Sequence, residues 1–311
     1  MNIQHKKTAA LLIGFGGPTN NSEVRPFLES VLEGISIPPQ RFDEVLRHYE
    51  VIGGVSPYNA VTAVQKNALE EWFLARNVSL PVGVGYRHST PALKDAFETF
   101  KRYGIEKVIA FILASFRCYS SFEKYQLKAA EAMAAAGAQG IELVYTDPFF
   151  DNALYLQAQT ERVLEITASF SDEQKSRTYF LFSAHSIPVP MSEKSGYRTQ
   201  YTAAAAKIAK RLGLAAEQWF PAYQSRSGSP GDPWLEPDIR SVIGGIDTTR
   251  FSCVTLIPVG FLCDNVEVIF DLDVATKGSC ETRGLGYFRA STVTDHPKFI
   301  EMMGRQILDK V

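Results

Sequence analysis

The chain has 311 residues, 34 acidic and 32 basic, for a net charge of −2, and 45% of the residues are hydrophobic. That length allows two ordinary domains or one large one, with ample apolar content for a core. Near-neutral charge without a basic block argues against disorder, a coiled coil and the electrostatic footprint of a nucleic-acid binder. Four cysteines (Cys118, Cys253, Cys263 and Cys280) have no paired spacing and make no disulfide framework, which predicts a reducing, cytoplasmic setting.

At the N-terminus, Lys6 and Lys7 precede an apolar run from Ala9 to Phe15 that superficially mimics a signal peptide. The run is short and ends in Gly16-Gly17-Pro18 instead of a small-x-small cleavage site, so it reads as a first buried strand. Continuous apolar runs then alternate with longer amphipathic segments, the pattern of parallel strands joined by helices. Strands are predicted over 8–14, 82–86, 107–113, 141–145, 178–183, 219–222 and 253–258. Helices are predicted over 23–33, 63–76, 91–103, 122–136, 152–167, 201–212 and 266–275, with a last one over 297–310. Pro91 and Pro297 fall where first-turn prolines are tolerated.

A polar stretch over 168–176 marks a boundary between two similar βα halves, 1–170 and 171–311, with the last helix free to pack back across both. No run of 18 apolar residues exists, so no membrane span is expected, which leaves loose attachment to a bilayer surface open.

In open parallel sheets, ligands bind outside the carboxyl ends of the strands. Three strand exits therefore draw attention. The first, Gly14-Phe15-Gly16-Gly17-Pro18, matches neither the dinucleotide fingerprint nor a P-loop and reads first as turn chemistry. The second carries His185 directly after a buried strand. A neutral imidazole there can ligate a metal or accept a proton, or it can be a satisfied core histidine. Ser183 lies two residues away with no Gly-x-Ser-x-Gly elbow, so a hydrolase is not expected. The third exit carries Glu267 and Asp271, four apart on one helix face. A solvated surface tolerates such a pair, whereas beside a cleft it becomes a track for a cation or a proton.

Five ordered motifs around these exits resemble the ferrochelatases, the family that inserts Fe(II) into a porphyrin. They are Gly14-Phe15-Gly16-Gly17-Pro18 followed by Pro26-Phe27-Leu28, Ile52-Gly53-Gly54-Val55-Ser56-Pro57, and Ser183-Ala184-His185-Ser186-Ile187-Pro188. They continue with Tyr223-Gln224-Ser225-Arg226-Ser227-Gly228 (with Asp232-Pro233-Trp234-Leu235-Glu236-Pro237), and end with the segment from Pro258 to Glu267. The similarity covers nearly the whole chain. Its early segment is most like the short enzymes of the Gram-positive and actinobacterial branch, which act on coproporphyrin III.

The resemblance implies an α/β fold of two similar Rossmann-like, chelatase-type halves. Each is a four-stranded parallel sheet flanked by helices, with the active-site cleft between them. It implies His185 as the metal-side histidine and Glu267 as its carboxylate partner, both catalytic and metal-ligating, with Asp271 on an outer metal and proton path. Porphyrin would be bound by Phe15, Tyr49, Ser56, Tyr125, His48 and Arg87, the last beside His88 at a strand end. Phe15 has no oxygen with which to ligate metal. Ala275 stands where several relatives carry a further carboxylate, which leaves Asp264 and Asp273 as substitutes in an outer site for an accessory divalent cation.

Some actinobacterial relatives hold a [2Fe–2S] cluster. Here Phe122 stands at the first cysteine position, the four cysteines are scattered, and no cluster is expected. The resemblance thus implies a cytoplasmic monomer with Fe(II) and a porphyrin as substrates, coproporphyrin III or protoporphyrin IX. Alternatives are a cobalt or nickel chelatase of a related tetrapyrrole, for which His88 would be the second histidine, and a non-catalytic porphyrin carrier.

Overall fold

The computed structural model describes residues 7–33, 39–227 and 231–311; Lys6 of the opening dipeptide and Gly228 of the fourth motif lie outside them. In chain order the elements are β1 (Thr8–Gly14), α1 (Asn21–Val31), α2 (Pro39–Val51), α3 (Tyr58–Leu74), β2 (Val82–Tyr86), α4 (Leu93–Arg102), β3 (Lys107–Ile112), α5 (Lys124–Ala135) and β4 (Glu142–Tyr145). They continue with α6 (Ala153–Thr167), α7 (Asp172–Ser176), β5 (Thr178–His185), α8 (Val189–Ser195), α9 (Tyr197–Arg211), β6 (Trp219–Gln224), α10 (Ile239–Gly244), β7 (Cys253–Ile257), α11 (Lys277–Thr282), β8 (Gly286–Arg289) and α12 (Pro297–Leu308). Two π-helices, Tyr119–Glu123 and Val268–Thr276, lead into α5 and α11.

Two compact units result, 1–114 with 119–148 and 295–311, and 115–118 with 149–294. Each contains one fully parallel four-stranded sheet, ordered β2-β1-β3-β4 and β6-β5-β7-β8. The expected twin sheets are present. The main division falls at Pro148/Phe149 and not near residue 170, because α6 packs on α9 and Tyr155 donates to the Val259 carbonyl at 2.8 Å, both within the second unit. The last helix belongs to the first unit, where it packs on α3 and β3.

In the first unit, the apolar run of β1 is buried throughout because neighbouring strands pair with it on both sides. Helix α4 lays Leu93, Ala96, Phe97 and Phe100 against that sheet, an i, i+3, i+4, i+7 stripe. It begins at Leu93, so Pro91 precedes it, and the Asp95 carboxylate accepts from the Ala92 amide at 2.9 Å. Pro297 does open α12, as its position suggests.

In the second unit, β5 runs two residues past its predicted end, because Ala184 and His185 pair with Tyr223 and Gln224 of β6. Strand β8 is unanticipated; its four residues line one edge of the sheet and pair only with β7. The chain reverses direction across each sheet between β1 and β3, and between β5 and β7. The carboxyl ends at those switch points are where such sheets bind ligands. Among the described residues, no helix is long and apolar enough to cross a membrane.

Gly260, just beyond β7, donates to the Ser183 carbonyl at 3.0 Å, and a Cβ there would lie 2.7 Å from the Ala184 Cα. Gly260→Ala should therefore destabilise the protein by about 1–3 kcal/mol through overpacking against β5. Thermal or urea unfolding checks this, and an unchanged midpoint would show that the strand end moves aside freely.

Candidate active site

In the second unit, β5 ends on His185, and Glu267 immediately precedes the π-helix that follows β7. The two side chains meet across the switch point, with His185 Nε2 lying 3.3 Å from Glu267 Oε1. Both are only partly covered, at 28% and 39% exposure, so the pair is reachable from outside. The other ring nitrogen, Nδ1, contacts the Ser186 carbonyl. A carbonyl can only accept, so Nδ1 carries a hydrogen and the lone pair of the neutral ring sits on Nε2, facing Glu267. Tyr197 donates its hydroxyl to the His185 carbonyl at 3.0 Å, and the Ser186 amide donates to the Gln224 carbonyl at 2.7 Å, which fixes the strand end.

A strict four-residue repeat shapes the π-helix. Val268, Leu272 and Thr276 are buried, and the adjoining stripe carries Glu267, Asp271 and Ala275. The Asn265 side chain accepts from the Val268 amide at 2.9 Å and the Gln224 amide donates to the Glu267 carbonyl at 3.1 Å, so the start of the helix is tied to β6. Ser225 adopts a left-handed backbone with φ of 60° and donates its hydroxyl to the Asp271 carboxylate.

Charge and burial compete across this trio. Burial by itself opposes an imidazolium at His185, but Glu267, the Ser186 carbonyl and Asp271 together outweigh it and raise the ring to about 9. Burial lifts Asp271 to about 6, against the Ser225 hydrogen bond and with the help of the Glu267 charge. Near neutral pH the imidazole thus holds a proton beside a carboxylate, and Asp271 is mostly ionised, taking up a proton as the pH falls toward 6.

The carboxylates named for an outer cation site stand elsewhere. Asp264 and Asp273 are both ion-paired to Arg289, at 2.9 and 2.6 Å. Among the described residues, no three His, Cys, Asp or Glu side chains converge into a metal-holding group. The four cysteines are all buried, and Cys253 contacts the Thr178 hydroxyl at 3.1 Å.

The first unit gathers most of the remaining candidates. Phe15 leaves β1 with its amide held by the Tyr58 hydroxyl at 3.0 Å. Its ring lies 4.8 Å from that of His88 and 6.0 Å from that of Phe27, which in turn meets Tyr49 at 6.2 Å. Arg87 spreads over Tyr125 at 4.5 Å and Phe15 at 5.6 Å and donates to the Ser120 carbonyl at 3.2 Å. Ser56 is buried under Gly17, and its hydroxyl accepts from the Tyr58 amide at 3.3 Å. His48 lies half-buried on α2 next to the buried Tyr49.

Sequence reasoning missed Ser30, whose hydroxyl lies 2.9 Å from His88 Nδ1, and also Lys124 and Lys128. Burial, and then Arg87 and these two lysines, hold His88 down at about 4, so its ring is neutral at pH 7. Burial likewise lowers Lys124, reinforced by Arg87 and Lys128 and opposed by Glu33. The lysines follow Tyr125's helix at i, i+4 spacing, a signal indistinguishable from an ordinary solvated face.

The family profile for Ferrochelatase matches residues 7–311. The chain belongs to the ferrochelatase family. As a ferrochelatase it is an enzyme that inserts metal into a porphyrin. Curated relatives include a "Ferrochelatase" of Rhodopirellula baltica, 36% identical over 94% of this chain and 83% of that protein. A "Coproporphyrin III ferrochelatase" of Mycobacterium leprae is 34% identical over 94% of this chain and 86% of that one. Among solved structures, SirB from Bacillus subtilis with Fe3+ shares the fold, with a TM-score of 0.59 at 12% identity over 97% of this chain and 95% of SirB.

Glu267 is the chief group that keeps the His185 proton in place. In an NMR titration the His185 ring should change charge near pH 9, and Glu267→Gln should bring that midpoint toward or below the ordinary histidine value of about 6.5. An unmoved midpoint would remove Glu267 from that role.

Proposed function

We propose that the enzyme inserts Fe(II) into coproporphyrin III, with His185 and Glu267 receiving the metal and the displaced pyrrole protons. The observation that carries this reading is the 3.3 Å approach of Nε2 to the Glu267 carboxylate, with Asp271 one turn further along the same stripe. Insertion requires a desolvated cation and the loss of two pyrrole protons. His185 holds a proton near neutral pH, so it does this once that proton has passed to the neighbouring carboxylate, which frees Nε2 as metal ligand and proton acceptor. Two protein ligands hold a cation weakly enough to hand it on, which suits a substrate metal better than a resident one. Asp271, lifted by burial to about 6 and held by Ser225, would carry protons away from Glu267.

In the first unit, the half-buried Phe15 is assigned the aromatic face for the macrocycle, and the buried Tyr49, Ser56 and Tyr125, the last beneath Arg87, back that surface. His48 and Arg87 are assigned to the carboxylate side chains, with Lys124 and Lys128 adding charge. Arginine and lysine crowded together favour an anionic ligand over empty solvent. Coproporphyrin carries four propionates against two in protoporphyrin, and several relatives bear the coproporphyrin name. An accessory divalent cation would have to displace Arg289 from Asp264 and Asp273 or bind along Glu267 and Asp271. No iron–sulfur cluster takes part in this reading.

The substrate is tested anaerobically with purified protein, Fe(II) and each porphyrin in turn, following loss of the free-base absorption bands. Coproporphyrin III should exceed protoporphyrin IX in kcat/KM by roughly tenfold or more, about 1.4 kcal/mol in transition-state stabilisation. Preference for protoporphyrin would overturn that assignment.

Site roles are tested by substitution. His185→Ala should lower insertion on the order of 10²–10⁴-fold while leaving cooperative unfolding in place. Glu267→Gln should cost more turnover than Asp271→Asn, and the reverse order would move the main proton acceptor along the π-helix.

A further inference from the structure

We infer that Arg289 is a positioning residue for the insertion reaction, tying the turn before the π-helix to the π-helix itself, on either side of Glu267 and Asp271, so that this acidic stripe is presented in one register. This rests on the reading that the stripe receives metal and protons.

Arg289 closes β8, the edge strand, and its side chain is only 15% exposed. Its Nε and Nη2 donate to the two oxygens of Asp273 at 2.6 and 3.0 Å. Nη1 and Nη2 donate to the two oxygens of Asp264 at 3.2 and 2.9 Å, and Nη1 also reaches the Ala290 carbonyl at 3.4 Å. Those five contacts match the five N–H donors of a guanidinium. Thr292 adds its hydroxyl to Asp264 at 3.1 Å. Asp264 lies three residues before Glu267 and Asp273 two residues after Asp271, so the guanidinium grips the chain on either side of the stripe.

The physical case for a positioning role is the poor intrinsic stability of the element. A π-helix has weaker hydrogen-bond geometry than an α-helix and persists where its surroundings require it. One mostly buried guanidinium and two carboxylates about a third exposed contribute little net stability compared with well-packed apolar residues of the same volume. What the arrangement supplies is direction, since a planar fork with two bidentate carboxylates admits one geometry. A lysine, as a single point charge, cannot reproduce it. A shift of the stripe by even 1 Å relative to His185 would cost on the order of a hundredfold in rate.

The test compares wild-type enzyme with Arg289→Gln, Arg289→Lys and Asp273→Asn, with three readouts. These are steady-state insertion, hydrogen exchange of the 268–276 amides, and the His185 ring signals in NMR spectra. Arg289→Gln should lower kcat on the order of tenfold to a hundredfold while porphyrin KM stays within about twofold. Arg289→Lys should recover only a minor part of that loss, and Asp273→Asn, which keeps the Asp264 arm, should be intermediate. Exchange should accelerate across 268–276, and the His185 signals should shift.

If the folded variants keep wild-type kcat and lose only thermal stability, Arg289 is a structural ion pair and the inference is overturned. If Arg289→Gln does not fold, Asp273→Asn decides, and wild-type kcat in that variant has the same consequence. Should wild-type protein metallate no porphyrin, the functional reading fails separately. Exchange and the His185 signals then decide the clamp, and unchanged values in the variants would overturn it.

Discussion

An imidazole and a carboxylate compete for one proton at the carboxyl ends of two adjacent strands, and the second unit is built to bring them together. Parallel β5 and β7 converge there because the chain crosses its own sheet between them. Every neighbouring contact constrains one of the partners: Ser186 takes the Nδ1 hydrogen, Tyr197 holds the strand end, and Gln224 ties the start of the π-helix. Taken separately these are ordinary hydrogen bonds worth about 1 kcal/mol each. Jointly they remove the rotational freedom that would let His185 and Glu267 separate.

The two units repeat one strand order and put different chemistry on it. In the first, the strand exits are aromatic and cationic, with Phe15 against His88 and Arg87 over Tyr125. In the second they are acidic, with a histidine whose charge the acids sustain. Opposite environments drive the two histidines in opposite directions, His88 to about 4 and His185 to about 9. One sequence thus contains a neutral ring stacked against an aromatic side chain and a ring that neighbouring acids keep protonated near neutral pH. The scaffold is indifferent to this difference; the neighbours of each ring set it.

Much of the architecture was legible because its causes are local. Continuous apolar runs such as Leu11-Leu12-Ile13 can be satisfied only between two neighbouring strands, and the predicted bounds of β1 and β2 match those observed. The sequence predicts an ordinary helix over 266–275, whereas the π-helix found there has buried residues that recur every four positions without the intervening threes of an α-helix. Strand β8 was invisible. Four residues ending in arginine carry no periodicity, and the strand exists because β7 offers it a free edge. The main boundary at Pro148/Phe149 depends on the packing of α6 against α9, which no composition shift announces.

The order of five motifs, and the presence of His185 and Glu267 at two strand exits, were determined by the sequence alone, since strand ends and glycine turns follow from patterns a few residues long. Only the tertiary structure decided which carboxylates are available. Asp264, Asp271 and Asp273 look alike in the chain, yet Arg289 holds the first and third while Ser225 holds the second. Those partners come from β8 and from the residue just after β6, between 16 and 46 residues away in the chain. Charge pairing across such distances is a property of the folded sheet, because the pairing of β8 with β7 is what sets the guanidinium within reach of both acids.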